Sequence, residues 1–300
     1  MVQIVEIEAR LKNLRGIEHL IRSMRAMAAI RWRRARHRLG QAQAYAAEVE
    51  RLLNIAIQYP SPLVVPSARP DLEGVSPSPG AMGLIIITSD RGLCGAFNLS
   101  LAGFANDFIA REQELGHRVK IIALGRYGER FFNRSPHEVI YAHPLSLIQA
   151  ISFTETREMY ERIEDLYQGG EFDQLTLIYN SFVSFGRYQR VEIKLLPPHL
   201  TIPPRAVVKR EHIIGRDTAE LQRYLLAEYL AVQIHLALVE SMVSEQGARL
   251  QTMEAALNTI QDRIAGLTLE RNMARQESIT QEVLEISAGA EALRLRGRWR

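Results

Sequence analysis

All twelve prolines of this 300-residue chain lie between Pro60 and Pro204, so the first 59 and the last 96 residues contain none. Proline removes a backbone donor and breaks helix interiors, so two long proline-free ends can each hold one uninterrupted helix. The apolar spacing agrees. Ile4, Ile7, Leu11, Leu14, Ile17, Ile21, Met24 and Ala28 recur at steps of three and four, as do Leu250, Met253, Leu257, Ile260, Ile264 and Leu267. Ile279, Val283, Ile286, Ala290 and Leu293 resume the second series. A stripe this narrow covers one helix face and needs a partner helix to bury it. The expected partner is the other end of the chain. The prediction is an antiparallel coiled coil of the two ends, with a compact domain between them.

Composition limits what such a chain can be. Hydrophobic residues make up 47% and charged residues 24%, which is the balance of an ordered globular protein. No run of 18 or more apolar residues appears, and MVQIVEIEARLK has the makeup of neither a signal peptide nor a transit peptide. One cysteine, Cys94, excludes an intrachain disulfide. The expected location is the cytosol, or the cytosolic face of a larger structure. The net charge of +3 hides an asymmetry: Arg22, Arg25, Arg31, Arg33, Arg34, Arg36 and Arg38 occur with no acidic residue among them. Arg294, Arg296, Arg298 and Arg300 form a basic tail. Such a stripe is a solvated face, a dock for an acidic protein surface, or a phosphate contact.

The middle alternates between strand and helix. Residues 60–80 form a Pro/Ser/Gly linker. Gly83–Thr88 and Val119–Leu124 are continuous β-branched runs, as strands covered on both faces require. Ala96–Leu115 carries helical spacing, Glu138–Tyr141 reads as a third strand, and Ile148–Tyr167 as an amphipathic helix. Asp173–Tyr179 and Val191–Leu196 complete the set. This order predicts an α/β domain over 81–204 with a mainly parallel sheet, between an N-terminal helix (1–59) and a C-terminal one (205–300) whose helix starts near Thr218.

Sites for chemistry are scarce. The chain has no phosphate-binding loop motif, no dinucleotide fingerprint, no nucleophile elbow and no zinc-protease motif. Gly125-Arg126-Tyr127-Gly128 follows a strand, where a strand-to-helix turn needs glycine. Thr88–Gly95 (TSDRGLCG) leaves the first strand and opens a helix, the place where α/β folds seat ligands. A reactive Cys94 would need a base, and no histidine lies near it in sequence, which favours a buried structural thiol. Asp90 and Arg91 are expected to pair or cap locally.

Three separated segments resemble one family, the γ subunits of F-type ATP synthases. They are TSDRGLCGAFN, the Met-rich Ser23–Ala29 segment, and the second arm. In that arm the similar residues are Glu228–Leu230, Leu238–Ser241, Ser244–Gln246, Ala248-Arg249, Asn272–Glu282, Glu285-Ile286 and Gly289-Ala290. The resemblance runs nearly the whole chain in order. It implies a long antiparallel coiled coil of the terminal helices with a Rossmann-like α/β domain. It also implies a non-catalytic central stalk, which turns inside a hexamer of α and β subunits to couple ion flow to ATP synthesis or hydrolysis. Implied partners are α, β, the ε subunit and the c-ring, at the cytoplasmic face of a bacterial membrane that the chain reaches only through the complex. No cofactor or metal is implied.

Carried over residue by residue, the contacts with α and β fall on Met24, Arg25, Met27 and Arg31, on Arg249, and on Arg275, Gln276, Thr280, Glu282 and Glu285. Guanidinium groups suit such contacts because they stay charged and bond carboxylates in a bidentate way. The chain departs from the family at Ile30-Arg31-Trp32-Arg33-Arg34, where an exposed Trp32 is expected to reshape the contact, and in its basic tail. The stretch between Pro198 and Glu228 is short and has no cysteine, which excludes the dithiol insert of chloroplast γ subunits. Two other classes stand beside this reading. A basic coiled-coil nucleic-acid-binding protein predicts salt-dependent DNA binding; an enzyme built on the Cys94 loop predicts loss of activity on Cys94→Ser.

Overall fold

The computed structural model describes residues 2–57, 80–145, 151–198 and 218–297. The expected linker, the prolines after Pro198, the start of the helix expected at Ile148 and the last three residues lie outside them. Ten elements follow one another: α1 (Val2–Ala56), β1 (Ala81–Ile87), α2 (Phe97–Glu114), β2 (Arg118–Leu124), α3 (Arg126–Phe132), β3 (Glu138–His143), α4 (Phe153–Gln168), β4 (Gln174–Ser184), β5 (Arg187–Leu196) and α5 (Thr218–Gly297). Each proline-free end carries one long helix among its described residues, and the chain divides into two units, Ala28–Leu250 and the paired ends Met1–Met27 with Gln251–Arg300.

Within Ala28–Leu250 the sheet order is β3-β2-β1-β4-β5, parallel except for the antiparallel β4–β5 hairpin at one edge. Leu84–Ile87 of β1 and Ile121–Leu124 of β2 are continuously apolar because both faces are covered there. One face of β1 and β2 (Leu84, Ile86, Ile121, Ala123) packs on α2 through Leu101, Ala105, Phe108 and Ile109. The other (Ile85, Ile87, Ile122, Leu124) joins Met159 and Ile163 of α4 with Leu226, Leu230 and Ile234 of α5. An 18-residue window of α5 is apolar enough to cross a membrane by composition, but 61% of it is buried in this manner. Helix α4 starts later than its apolar spacing suggests, because the Ser152 hydroxyl accepts from the Glu155 amide and caps it. The β4–β5 hairpin is longer than expected, since the apolar run ends at Tyr179 and burial falls away beyond Asn180 while the strand pairing continues.

In the paired ends, two contacts fix direction and register. Arg25 bonds Glu254 at 2.7 Å and Gln261 bonds Glu18 at 3.3 Å, so seven residues back on α1 correspond to seven forward on α5. The pair is antiparallel with a heptad step. Its inner line differs from the apolar stripe. On α1 it runs Ile7, Leu11, Leu14, Glu18, Ile21 and Met24, while Ile17 is exposed. On α5 it runs Met253, Leu257, Ile260, Ile264, Leu267, Arg271, Ala274 and Ser278, leaving Ile279, Val283 and Ile286 exposed. A 3.5-residue repeat keeps one seam facing the partner, and here it passes through Glu18, whose carboxyl the Arg22 and Gln261 donors hold below its usual range.

Candidate partner-contact surface

The sequence-assigned contact residues divide by exposure. Met24 is half-buried, while Arg25 and Met27 are exposed on α1. Arg275, Gln276, Thr280, Glu282 and Glu285 are all exposed on α5. Arg275, Ile279, Glu282 and Ile286 lie at steps of four, three and four, and so form one line; Gln276, Thr280 and Val283 form the line beside it. The result is a mixed apolar and charged face. Val2 lies sixteen residues before Glu18, so the register beside Gln261 brings the start of α1 to residue 277 of α5. Beyond that point α5 runs without α1 alongside, and Glu285 falls on the continuation of the seam.

Arg249 and Arg31 are placed differently. Arg249 is 6% exposed and pairs at 2.7 Å with Glu245, one turn earlier on the same helix. Its Nη2 also donates to the carbonyls of Arg91 and Gly92 at 3.2 and 3.3 Å. Burial pushes the Glu245 carboxyl up, against the pull of Arg249 and Arg31. Arg31 is half-buried within this field.

The loop that Arg249 holds is closed upon itself. The Ser89 amide donates to Asn98, and Asn98 Nδ2 to the Ser89 hydroxyl. Asp90 accepts from the amides of Arg126 and Leu145, 36 and 55 residues away, so instead of the expected local cap it ties the loop to two distant segments. Burial raises the Cys94 thiol, which is 2% exposed and therefore structural. Gly125 has φ 103, and a Cβ there would stand 2.1 Å from the Thr88 carbonyl oxygen, so the strand-to-helix turn requires glycine. The carboxyl end of β1, where α/β folds hold ligands, is filled by the protein's own Arg249.

Trp32 corrects the sequence reading. It is half-buried rather than exposed, and it packs with Ala35, Leu39, Val239 and Phe182. Sequence reasoning also missed a buried network lower on the helices. Glu228 of α5 accepts from Tyr45 of α1 at 2.6 Å and from Arg157 of α4. That bond to Glu228 pushes the Tyr45 phenol up to about 12. Glu240 likewise accepts from Tyr179 and Ser181 of β4 at 3.1 and 2.7 Å. The available signal was a set of glutamates inside the apolar stretch of α5, since buried charges require partners.

A sequence profile of the family described as ATP synthase matches residues 3–293. The chain belongs to the ATP synthase γ family. It is 34% identical to the ATP synthase gamma chain of Desulfitobacterium hafniense over 290 residues, which is 96% of this chain and 98% of that one. The gamma chain of Chloroherpeton thalassium is 30% identical over 98% and 99% of the two chains. Among solved structures, a chain of the Euglena gracilis mitochondrial ATP synthase superposes with a TM-score of 0.67 at 15% identity, over 97% of this chain and 94% of that one. A chain of the Tetrahymena thermophila central stalk and c-ring gives 0.58 at 22% identity, over 79% and 99%. These structures share the fold: terminal helices flanking a central α/β domain. As a γ-family member the chain is a non-catalytic stalk subunit of an ATP synthase, part of a membrane-associated complex. A nucleic-acid-binding coiled coil finds no support among these relatives.

Proposed function

We propose that this chain is the rotating shaft that couples transmembrane ion flow to ATP synthesis or hydrolysis inside a hexamer of three α and three β subunits. The observation that carries the reading is the family match over residues 3–293, joined to a helical pair whose outer face is exposed where the contacts are expected. The helical ends (1–59 and 205–300) serve as the shaft and the α/β domain (81–204) as its foot. The foot meets the ε subunit and the c-ring, at the cytoplasmic face of a bacterial membrane. Paired helices resist bending and twisting better than one, as transmission of torque requires. Met24, Arg25 and Met27, with Arg275, Gln276, Thr280, Glu282 and Glu285, form the surface offered to α and β. Arg31 borders that surface. Arg249, already paired inside the chain, supports the reading best as an internal strut for the Thr88–Gly95 loop.

The test is reconstitution of the purified chain with α and β from the same organism, read by native mass and ATPase rate. One copy per three α and three β, with steady ATP hydrolysis appearing on assembly, is the expected result. A folded chain that does not assemble, and instead binds duplex DNA in a salt-dependent way, overturns the reading.

A further inference from the structure

Within Ala28–Leu250 the helices α1 and α5 hold the α/β domain through the apolar layer under β1 and β2, through Glu240 and Arg249, and through two further clusters in which α1 takes part. At the first, Glu228 gathers Tyr45 and Arg157, while His235 of α5 shares a 2.9 Å hydrogen bond with Thr156 of α4. Phe153 meets the His235 ring edge-on at 5.4 Å. At the second, the tip of the β4–β5 hairpin reaches the helices. The Trp32 and Phe185 rings meet at 5.1 Å and 87°. The Arg36 guanidinium lies 5.5 Å from the Trp32 centroid and 5.7 Å from that of Phe182, a cation shared between two rings. Gly247 of α5 closes the contact: a Cβ there would stand 3.3 Å from the Gly186 amide nitrogen and 3.5 Å from Trp32 Nε1. Tyr45 is thirteen residues beyond Trp32 on α1, or about 20 Å along the axis.

Contacts spaced along the helices resist pivoting of the domain better than a single cluster does, and the Trp32 cluster extends that spacing. It relies on Trp32, a large ring with only two side-chain torsions, set in an arginine run that sequence alone places in solvent. The ring stays although its buried Nε1 has no hydrogen-bond partner, a cost that phenylalanine or leucine at this position would not incur. We propose that Trp32 is a positioning residue that fixes the twist of the α/β domain on the helical pair, so that rotation of one is passed to the other without slack. The role in rotation rests on the shaft reading; the grip itself does not.

The experiment places spin labels at Gln43→Cys on α1 and Glu114→Cys on α2, both exposed, with the buried Cys94 left unlabelled. The width of the label–label distance distribution is measured in the full chain for the parent, Trp32→Phe, Trp32→Leu and Trp32→Ala, alongside thermal melting. Trp32→Ala and Trp32→Leu are expected to widen it measurably, by up to about 1.4-fold, the limit reached if this cluster supplies half of the restraint on twist. Trp32→Phe, which keeps an aromatic edge for Phe185, stays near the parent width. Equal widths in all four overturn the proposal, and Trp32→Leu decides the matter if Trp32→Ala does not fold. In assembled complexes with α and β, a probe on the α/β domain then shows a wider angular spread in Trp32→Leu than in the parent. Failure of the parent to assemble counts against the shaft reading alone, because the label widths still judge the grip.

Discussion

The two units of the chain are stabilised in different ways. In Ala28–Leu250, strands β1 and β2 lie between two apolar layers, and most of their residues are fully buried. In the paired ends, Ile7, Leu11, Met253 and Leu257 reach full burial among the described residues, and the rest of the seam is half-open. A globular core buries enough apolar surface to outweigh its ordering entropy, whereas a two-helix seam buries a narrow strip and relies on length. A region with little core has most of its side chains free to meet something else.

Substitutions can break or sharpen this contrast. The largest effect is expected from Gly125→Val, which sets a side chain against the Thr88 carbonyl in a left-handed backbone. Several kcal/mol are lost, more than about 4 kcal/mol, and hydrogen-exchange protection disappears across β1 and β2. Protected strands in that variant would contradict the tight turn. Leu257→Ala removes a buried side chain from the seam and costs about 2–3 kcal/mol, the low end because an open seam can close around the gap. Amides near residue 257 then exchange faster while β1 and β2 keep their protection; loss of protection in both places would show that the two units unfold as one. The smallest effect on stability comes from replacing Arg275 and Gln276 together by Ala, within about 0.5 kcal/mol because both are exposed. Helix content by circular dichroism stays unchanged, yet ATP-driven ion pumping of the assembled enzyme weakens. Normal pumping would remove these two residues from the contact surface.

Much of this architecture was legible in the sequence, for reasons that differ by region. Proline placement and three-four spacing disclosed both long helices, because a helix writes its period along the chain. Strands β1, β2 and β4 showed as β-branched runs because the sheet is covered on both faces. The phase of the seam was less visible: Ile17 looks like a core position, but the 3.5-residue line passes through Glu18. Trp32 read as exposed because its neighbours are arginines, and nothing local reveals that a hairpin 150 residues away supplies Phe185. Arg249 shows the same limit. Its partners are backbone carbonyls of a distant loop, and backbone acceptors carry no residue type for a pattern to find.

The unaccompanied end of α5 bears on how such a subunit is made. From residue 279 the helix has no α1 beside it, and Ile279, Val283, Leu284 and Ile286 are each more than half exposed. In the stalk proposed above, a surface enclosing this end would bury those side chains and add to the stability of the helix. Full stability at this end would then be reached on assembly. Before assembly, amides at this open end would exchange faster than those of the buried seam around Leu257.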